Sequence, residues 1–184
     1  YNLIHIFGLS IALMCTIFIS VWIYDEISFD RFHENSHRIA RVLSELHRGD
    51  VSYVPLLPGA VGPALAEQFP EIEKQTRIYS LPNQVVSYRD KVFLEGDVYG
   101  IDASFFEIFS VDFVYGSLQA GALDGHSVII SEAISQKYFG DANPIGKLLT
   151  LEGENHWLIT GVVANFPSNS HFQFDFLVPS QLPN

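Results

Sequence analysis

The apolar positions of this chain fall into two regimes. From Leu3 to Tyr24 they are nearly continuous: 22 residues carry no charged side chain, and His5, Cys15 and Tyr24 are the titratable groups in the run. At about 1.5 Å per residue such a helix reaches roughly 33 Å, enough to cross a hydrocarbon core of about 30 Å. The predicted element is one transmembrane helix over residues 1–24. It ends Trp22-Ile23-Tyr24-Asp25-Glu26, an aromatic pair at interface depth followed by acids, as in a retained anchor. A cleaved signal would instead need a basic opening, an apolar run of about 7 to 15 residues and a small-residue cleavage site. The competing reading is a buried core helix. The chain opens on Tyr1 rather than Met and is expected to be a piece of a longer protein.

Beyond Tyr24 the apolar residues break into short periodic groups. Phe29, Phe32, Ser36, Ile39 and Val42 recur at three- and four-residue spacing and predict a short helix starting at Ser28 or Asp30; from Ile39 the pattern equally fits a strand through Leu46. Gly49 to Pro63 contains Pro55, Pro58, Gly59, Gly62 and Pro63 and reads as a connector. A helix through Ala64, Leu65 and Phe69 follows, stopped by Pro70. Val85–Tyr88 and Val92–Leu94 flank a short polar connection and predict a hairpin. Asp102 is expected to cap a short helix holding Phe105, Phe106 and Phe109.

Further along, Val128-Ile129-Ile130 reads as a buried strand, Ser131 as the cap of a helix through Ile134 and Tyr138, and Gly140 as its left-handed stop. Leu149–Leu151 and Trp157–Val163 form a second predicted hairpin around Glu152 to Asn155. Phe172, Phe174 and Phe176 alternate with Gln173 and Asp175 as a half-buried strand. The fold class is α+β: a mixed domain of short helices and β-hairpins over 25–184, preceded by one N-terminal transmembrane helix. Neither an internal repeat nor a low-complexity tract is evident.

Charge and composition narrow the function. All 10 basic and 21 acidic residues lie after Tyr24, for a net charge of −11, which argues against a nucleic-acid partner. About 160 residues with ample Phe and Tyr can bury one ordinary core, as one subdomain or as two small lobes. The single cysteine, Cys15, lies in the apolar run, so no disulfide framework or thiol ligand set is expected.

Two motifs resemble catalytic or nucleotide-binding signatures. His33-Glu34-Asn35-Ser36-His37 satisfies H-E-x-x-H, in which two imidazoles on one helix face bind zinc and the Glu polarises water. A membrane-anchored zinc metalloprotease is therefore one alternative reading. Ala40 and Leu43 stand where the metzincin extension needs Gly and His, and a third ligand would have to be Glu67 or His47. The polar neighbours Asp30, Arg31 and Arg38 mark this segment as a solvated turn at the membrane edge. Gly140 to Lys147 differs from a phosphate loop in spacing, and Leu148 replaces the required Ser or Thr. His126, His156 and His171 read as turn or surface histidines. On this reading the chain has no catalytic, cofactor-binding or metal residues.

Other stretches resemble a family. Asn2 to Leu9 opening the span, Asp25-Glu26-Ile27-Ser28-Phe29-Asp30-Arg31-Phe32-His33 after it, and Asp102 to Phe109 with Gly116 are similar to segments of FtsX/MacB-type ABC transporter permeases. So are Ser131 to Phe139 followed by Gly140-Asp141-Ala142-Asn143-Pro144-Ile145-Gly146-Lys147, and Thr160 to Val163 followed by Pro167-Ser168-Asn169-Ser170-His171-Phe172. The resemblance implies the first transmembrane helix and a MacB-like periplasmic core domain, incomplete at its C-terminal end, in the inner membrane with 25–184 in the periplasm. It implies a non-enzymatic part that transmits ATPase-driven motion, ATP being bound on a separate ATPase domain or subunit. The implied partners are a cytoplasmic ABC ATPase, membrane lipid, a periplasmic adaptor with an outer-membrane channel or a lipoprotein, and a second permease in a dimer. A membrane-anchored sensor or binding module is the other alternative. The segment Asp25 to His37 is expected to carry helix movement into the domain.

Overall fold

The uncharged run folds as one helix and continues past its expected end. In the computed structural model, which describes residues 2–48, 50–117, 123, 125–151 and 155–180, α1 spans Asn2–Ser28. No residue of α1 is buried, which removes the core-helix alternative and leaves a candidate membrane span. Two of its hydroxyls are satisfied within the helix: Ser10 Oγ donates to the Ile6 carbonyl at 2.8 Å and Thr16 Oγ1 to the Ala12 carbonyl at 2.9 Å. Internal bonding of this kind suits an environment without water. Asp25 to Ser28 contain no helix breaker, so the helix stops only where Asp30 turns into the left-handed region at φ +54°.

The helix expected over 28–42 is replaced. Residues 29–35 form turns, a one-turn 3₁₀ helix covers Ser36–Arg38, and strand β1 begins at Ser44. β1 (Ser44–Arg48) pairs antiparallel with β2 (Asp50–Val54), so the predicted connector contains a strand; Gly49 itself lies outside the described residues. The proline- and glycine-rich stretch follows this hairpin and leads into α2 (Val61–Gln68).

Among the described residues the remaining strands make one nine-stranded sheet. They are β3 (Ile78–Ser80), β4 (Gln84–Tyr88), β5 (Lys91–Glu95), β6 (Val98–Ile101), β7 (Phe113–Gly116), β8 (Ser127–Ser131), β9 (Leu148–Leu151), β10 (Asn155–Val163) and β11 (Phe176–Pro179). The order is β3-β6-β11-β8-β10-β9-β4-β5, with β7 also beside β10. β6–β11 and β8–β10 are parallel pairs and the others antiparallel. Both predicted hairpins form, as β4–β5 and β9–β10; the turn residues 152–154 of the second are outside the described residues.

The centre of the sheet is covered on both faces, which is why β8 and β11 are buried at every position. Period-two alternation sends Val128, Ile130, Phe176 and Val178 into one core and Ile129 and Leu177 into the other. The helix α4 (Glu132–Phe139) packs Ile134 and Tyr138 into the first core; α3 (Phe105–Ile108) and its neighbour Phe109 fill the second. Ser131 caps α4 as predicted, accepting from the Ile134 N–H at 3.2 Å, and Gly140 ends it at φ +60°. Tyr138 Oη donates to the buried Glu95 carboxylate at 2.6 Å, which also takes Lys137 Nζ at 2.7 and 2.9 Å. Burial, then the hydrogen bond to Glu95, pushes the Tyr138 hydroxyl up and keeps it a donor.

Two local expectations change. Asp102 makes no side-chain cap on α3; the first cap bond is its backbone carbonyl, accepting from Phe105 N–H at 3.0 Å. Its carboxylate instead takes Arg77 in a two-pronged pair, Nε and Nη2 each at 2.8 Å, a geometry better than a lone cap bond. Residues 172–175 are not a strand, and β11 begins at Phe176, because Phe172 and Phe174 turn onto the second core.

At the sheet edge the Tyr79 ring lies across Gly100, its cross-strand partner, and the Tyr79 hydroxyl donates to the Ser180 carbonyl. A Cβ on Gly100 would stand 2.3 Å from Tyr79 Cζ. Gly100→Ala is expected to cost about 1 to 3 kcal/mol in denaturant unfolding, and most of that penalty should vanish in a Tyr79→Ala background, where the two changes are strongly non-additive.

Candidate functional site

Where α1 ends, two loop segments close around it and the turn that follows. Asp30 sits in a left-handed turn that Asp tolerates better than most residues, and this conformation aims both its N–H and its carboxylate at residues 169–171. The Asp30 N–H donates to the Asn169 carbonyl at 3.0 Å. The carboxylate accepts from Ser170 Oγ at 2.9 Å, from the His171 N–H at 3.1 Å and pairs with His171 Nδ1 at 2.7 Å. From the same loop, Asn169 Nδ2 donates to the Ser28 carbonyl at 3.2 Å and to Ser28 Oγ at 3.0 Å, on the last residue of α1. Burial alone would raise the Asp30 carboxyl, but the Ser170 hydroxyl and the two His171 donors outweigh it and hold it below the usual carboxylate range.

His33 makes the second attachment. It is only 2% exposed, which corrects the expectation of a solvated turn at this one residue; Arg31, Phe32, Glu34, Asn35 and His37 around it are exposed. Its Nδ1 accepts from the Ser110 N–H at 3.2 Å, while Ser110 Oγ accepts from the Glu34 N–H at 2.9 Å. The neutral ring therefore carries its proton on Nε2, which is buried with no hydrogen-bond partner. The ring is enclosed by Phe32, Phe109 and Phe166 at centroid distances of 3.9, 5.1 and 6.0 Å. Phe29 packs against His171 at 4.9 Å. Phe109 belongs to the second core and contacts Phe172 at 5.2 Å, so an aromatic series runs from the end of α1 into the sheet.

The zinc-site spacing acquires no helix. His33 lies in a turn with its Nδ1 occupied, and His37 is exposed in the one-turn 3₁₀ helix, so the two imidazoles lack the shared helical face the motif requires. Glu67 is exposed on α2 and His47 on β1, His47 standing 3.4 Å from Glu45. His126 and His156 are exposed; the former packs on Trp157 and the latter on Thr150 Oγ1 at 3.2 Å. His171 is exposed too, yet it belongs to the junction. Pro144 to Lys147 form a turn closed by the Lys147 N–H on the Pro144 carbonyl at 3.0 Å, with Gly146 at φ +78° as a type II turn demands.

Burial holds the His33 imidazole below its ordinary value of 6.5, with the Asp30 charge pulling weakly the other way. The unfolded ring then binds protons more readily than the folded one, so stability rises with pH across that interval. Full stability is expected above pH 6.5, with a loss as pH falls below it, well before Asp30 titrates below 3.8. Urea midpoints at a series of pH values should show this slope and a shallower one in His33→Asn, which keeps an acceptor near Nδ1. Separately, Asp30→Ala is expected to cost about 1 to 3 kcal/mol and to raise hydrogen exchange at residues 169–172, with Asp30→Asn milder because Asn also tolerates the left-handed turn.

The comparisons with known proteins agree with this architecture. The profile of the MacB-like periplasmic core domain matches residues 3–183. A domain assigned as a permease protein from Porphyromonas gingivalis is similar in structure, with TM-score 0.63 and 26% identity, over 75% of this chain and 60% of that one. This chain thus spans about 60% of that relative's length. The periplasmic region of MacB from Actinobacillus actinomycetemcomitans gives TM-score 0.44 and 20% identity over 57% of this chain and 46% of its own. The extracellular domain of the ABC-type transporter YknZ from Gram-positive bacteria gives the same score and identity over 57% and 52%. No curated protein matches by sequence. The chain belongs to the MacB-like periplasmic core domain family, as the periplasmic part of a MacB/FtsX-type ABC transporter permease carrying one candidate membrane helix.

Proposed function

We propose that this domain is a mechanical transmission element: α1 spans the inner membrane, a cytoplasmic ABC ATPase moves it, and the junction passes that movement to the sheet and on to periplasmic partners. The observation that supports this most directly is the attachment of the last residue of α1, Ser28, and of the turn after it, at Asp30 and His33, to two separate loops, 169–171 and 109–110. A flexible tether needs no such bonds; an element that carries displacement does, since a load passes only through groups that keep their relative positions. On this reading the chain has no catalytic task, ATP is bound by the ATPase, and a second permease completes a dimer. An adaptor with an outer-membrane channel, or a lipoprotein, receives the motion.

The test uses the full-length permease with its ATPase in lipid. The complex containing the Phe29→Ala/Phe32→Ala permease, which loses packing on His171, His33 and Phe166, is expected to hydrolyse ATP on its ATPase at close to the normal rate. Its ATP-dependent change in hydrogen exchange across residues 98–101 and 176–180 should fall about tenfold or disappear. An unchanged nucleotide response in that variant would contradict the proposal.

A further inference from the structure

On the opposite face of the sheet from the junction, the β4–β5 turn and the C-terminal end of α4 border an open cleft of about 350 Å³, a volume within the range of small-molecule sites. It is lined by Tyr88, Arg89, Asp90, Lys91, Phe139 and Lys147, among others. The charge here runs against the rest of the molecule. In a chain of net charge −11, three cations meet one carboxylate, that of Asp90, along this lining.

The cations are held in distinct ways. Lys91 Nζ donates to the Lys137 and Tyr138 carbonyls, both at 2.8 Å, so its charge is fixed at the end of α4. The Arg89 guanidinium stands 5.2 Å from the Tyr88 ring centre and Lys147 Nζ 4.7 Å from that of Phe139. Those two rings lie 4.5 Å apart and are inclined at 59°, making an aromatic corner with a cation on each ring. Arg38, Lys74, Arg77 and Lys137 are each paired with an acid; among the described residues Arg89 and Lys147, like the exposed Arg31 and Arg41, are not, and these two stand together in a cleft. Arg89 also sits at φ +56°, where Gly or Asn would be the less costly turn residue.

We propose that this cleft binds a small soluble organic anion through its carboxylate or phosphate oxygens, with Arg89 and Lys147 as the charged contacts and the Tyr88–Phe139 corner beside its body. Arg89 supplies a planar fork of donors and Lys147 a point charge, which together suit an anion with two or more charged oxygens. Position favours a soluble ligand over a headgroup of the bilayer holding α1. The N-terminal end of α4 lies at Asn165, whose Oδ1 accepts from the Ala133 N–H at 3.0 Å, next to Phe166 of the junction; the cleft is at the other end of the helix, about 12 Å away. The proposal stands independently of force transmission.

The experiment is calorimetric titration of the full chain in non-ionic detergent at low salt, with citrate and inorganic pyrophosphate as carboxylate and phosphate probes. Saturable binding of at least one probe is expected, weakened about tenfold or more in Arg89→Gln/Lys147→Gln and by a smaller factor in each single variant. Arg31→Gln/Arg41→Gln, which removes exposed charge elsewhere, should bind as the parent does. The stronger probe identifies the chemistry. Absence of saturable binding to both probes, or equal binding in the parent and the Arg89/Lys147 variants, would overturn the assignment.

Discussion

The left-handed turn at Asp30 is the constraint on which the rest of the molecule's behaviour depends. A helix that leaves an apolar phase can join a polar domain through a slack linker or through fixed contacts. Here the chain turns within two residues of the end of α1, and one carboxylate gathers a hydroxyl, a backbone N–H and an imidazole from residues 170–171. With Asp30 and His171 partly open to solvent, the set is worth about 1 to 3 kcal/mol together, still above the thermal energy that would let the helix swing. Asn169, by bonding Ser28, fixes the helix end itself rather than the turn after it.

That attachment is useful only because what it grips is stiff. Phe109 and Phe172 contact each other and pack on the second core, whose Ile129 and Leu177 sit on the two central strands. Those strands are buried at every position, with alternate side chains committed to opposite cores, so neither can slip register without exposing one set and burying nothing in exchange. His33, enclosed by rings and bonded to Ser110, ties the start of the domain to the same core.

Much of this was legible in the sequence where the signal is local. The uncharged run specifies α1, Ser131 and Gly140 bracket α4, and two polar connections between β-prone runs mark the hairpins. What was illegible depends on distant partners. His33 stands among Asp30, Arg31, Glu34 and Arg38 and reads as solvated; its burial requires Phe109 and Phe166, which are far away in sequence. Asp102 looks like a helix cap until Arg77 arrives from β3's edge with a better-shaped partner. The β1–β2 hairpin was hidden because its second strand borders a stretch dense in Pro and Gly. The Pro167–Phe172 block carried a family likeness but no sign of its task, since a loop that grips a helix end has no periodicity of its own; Asp30 at the end of a helix was the one local hint of a left-handed turn.

The central claim is that α1 and the sheet move as one body. It is tested most directly by spin-label distance measurement in lipid, with labels at Tyr24→Cys on α1 and Glu132→Cys on α4 in a Cys15→Ala background. The account predicts a single narrow distance distribution that broadens when Asp30 is replaced by Ala. A broad distribution in the chain with Asp30 intact would show that the helix swings freely on the domain, and the account of a gripping junction would be wrong.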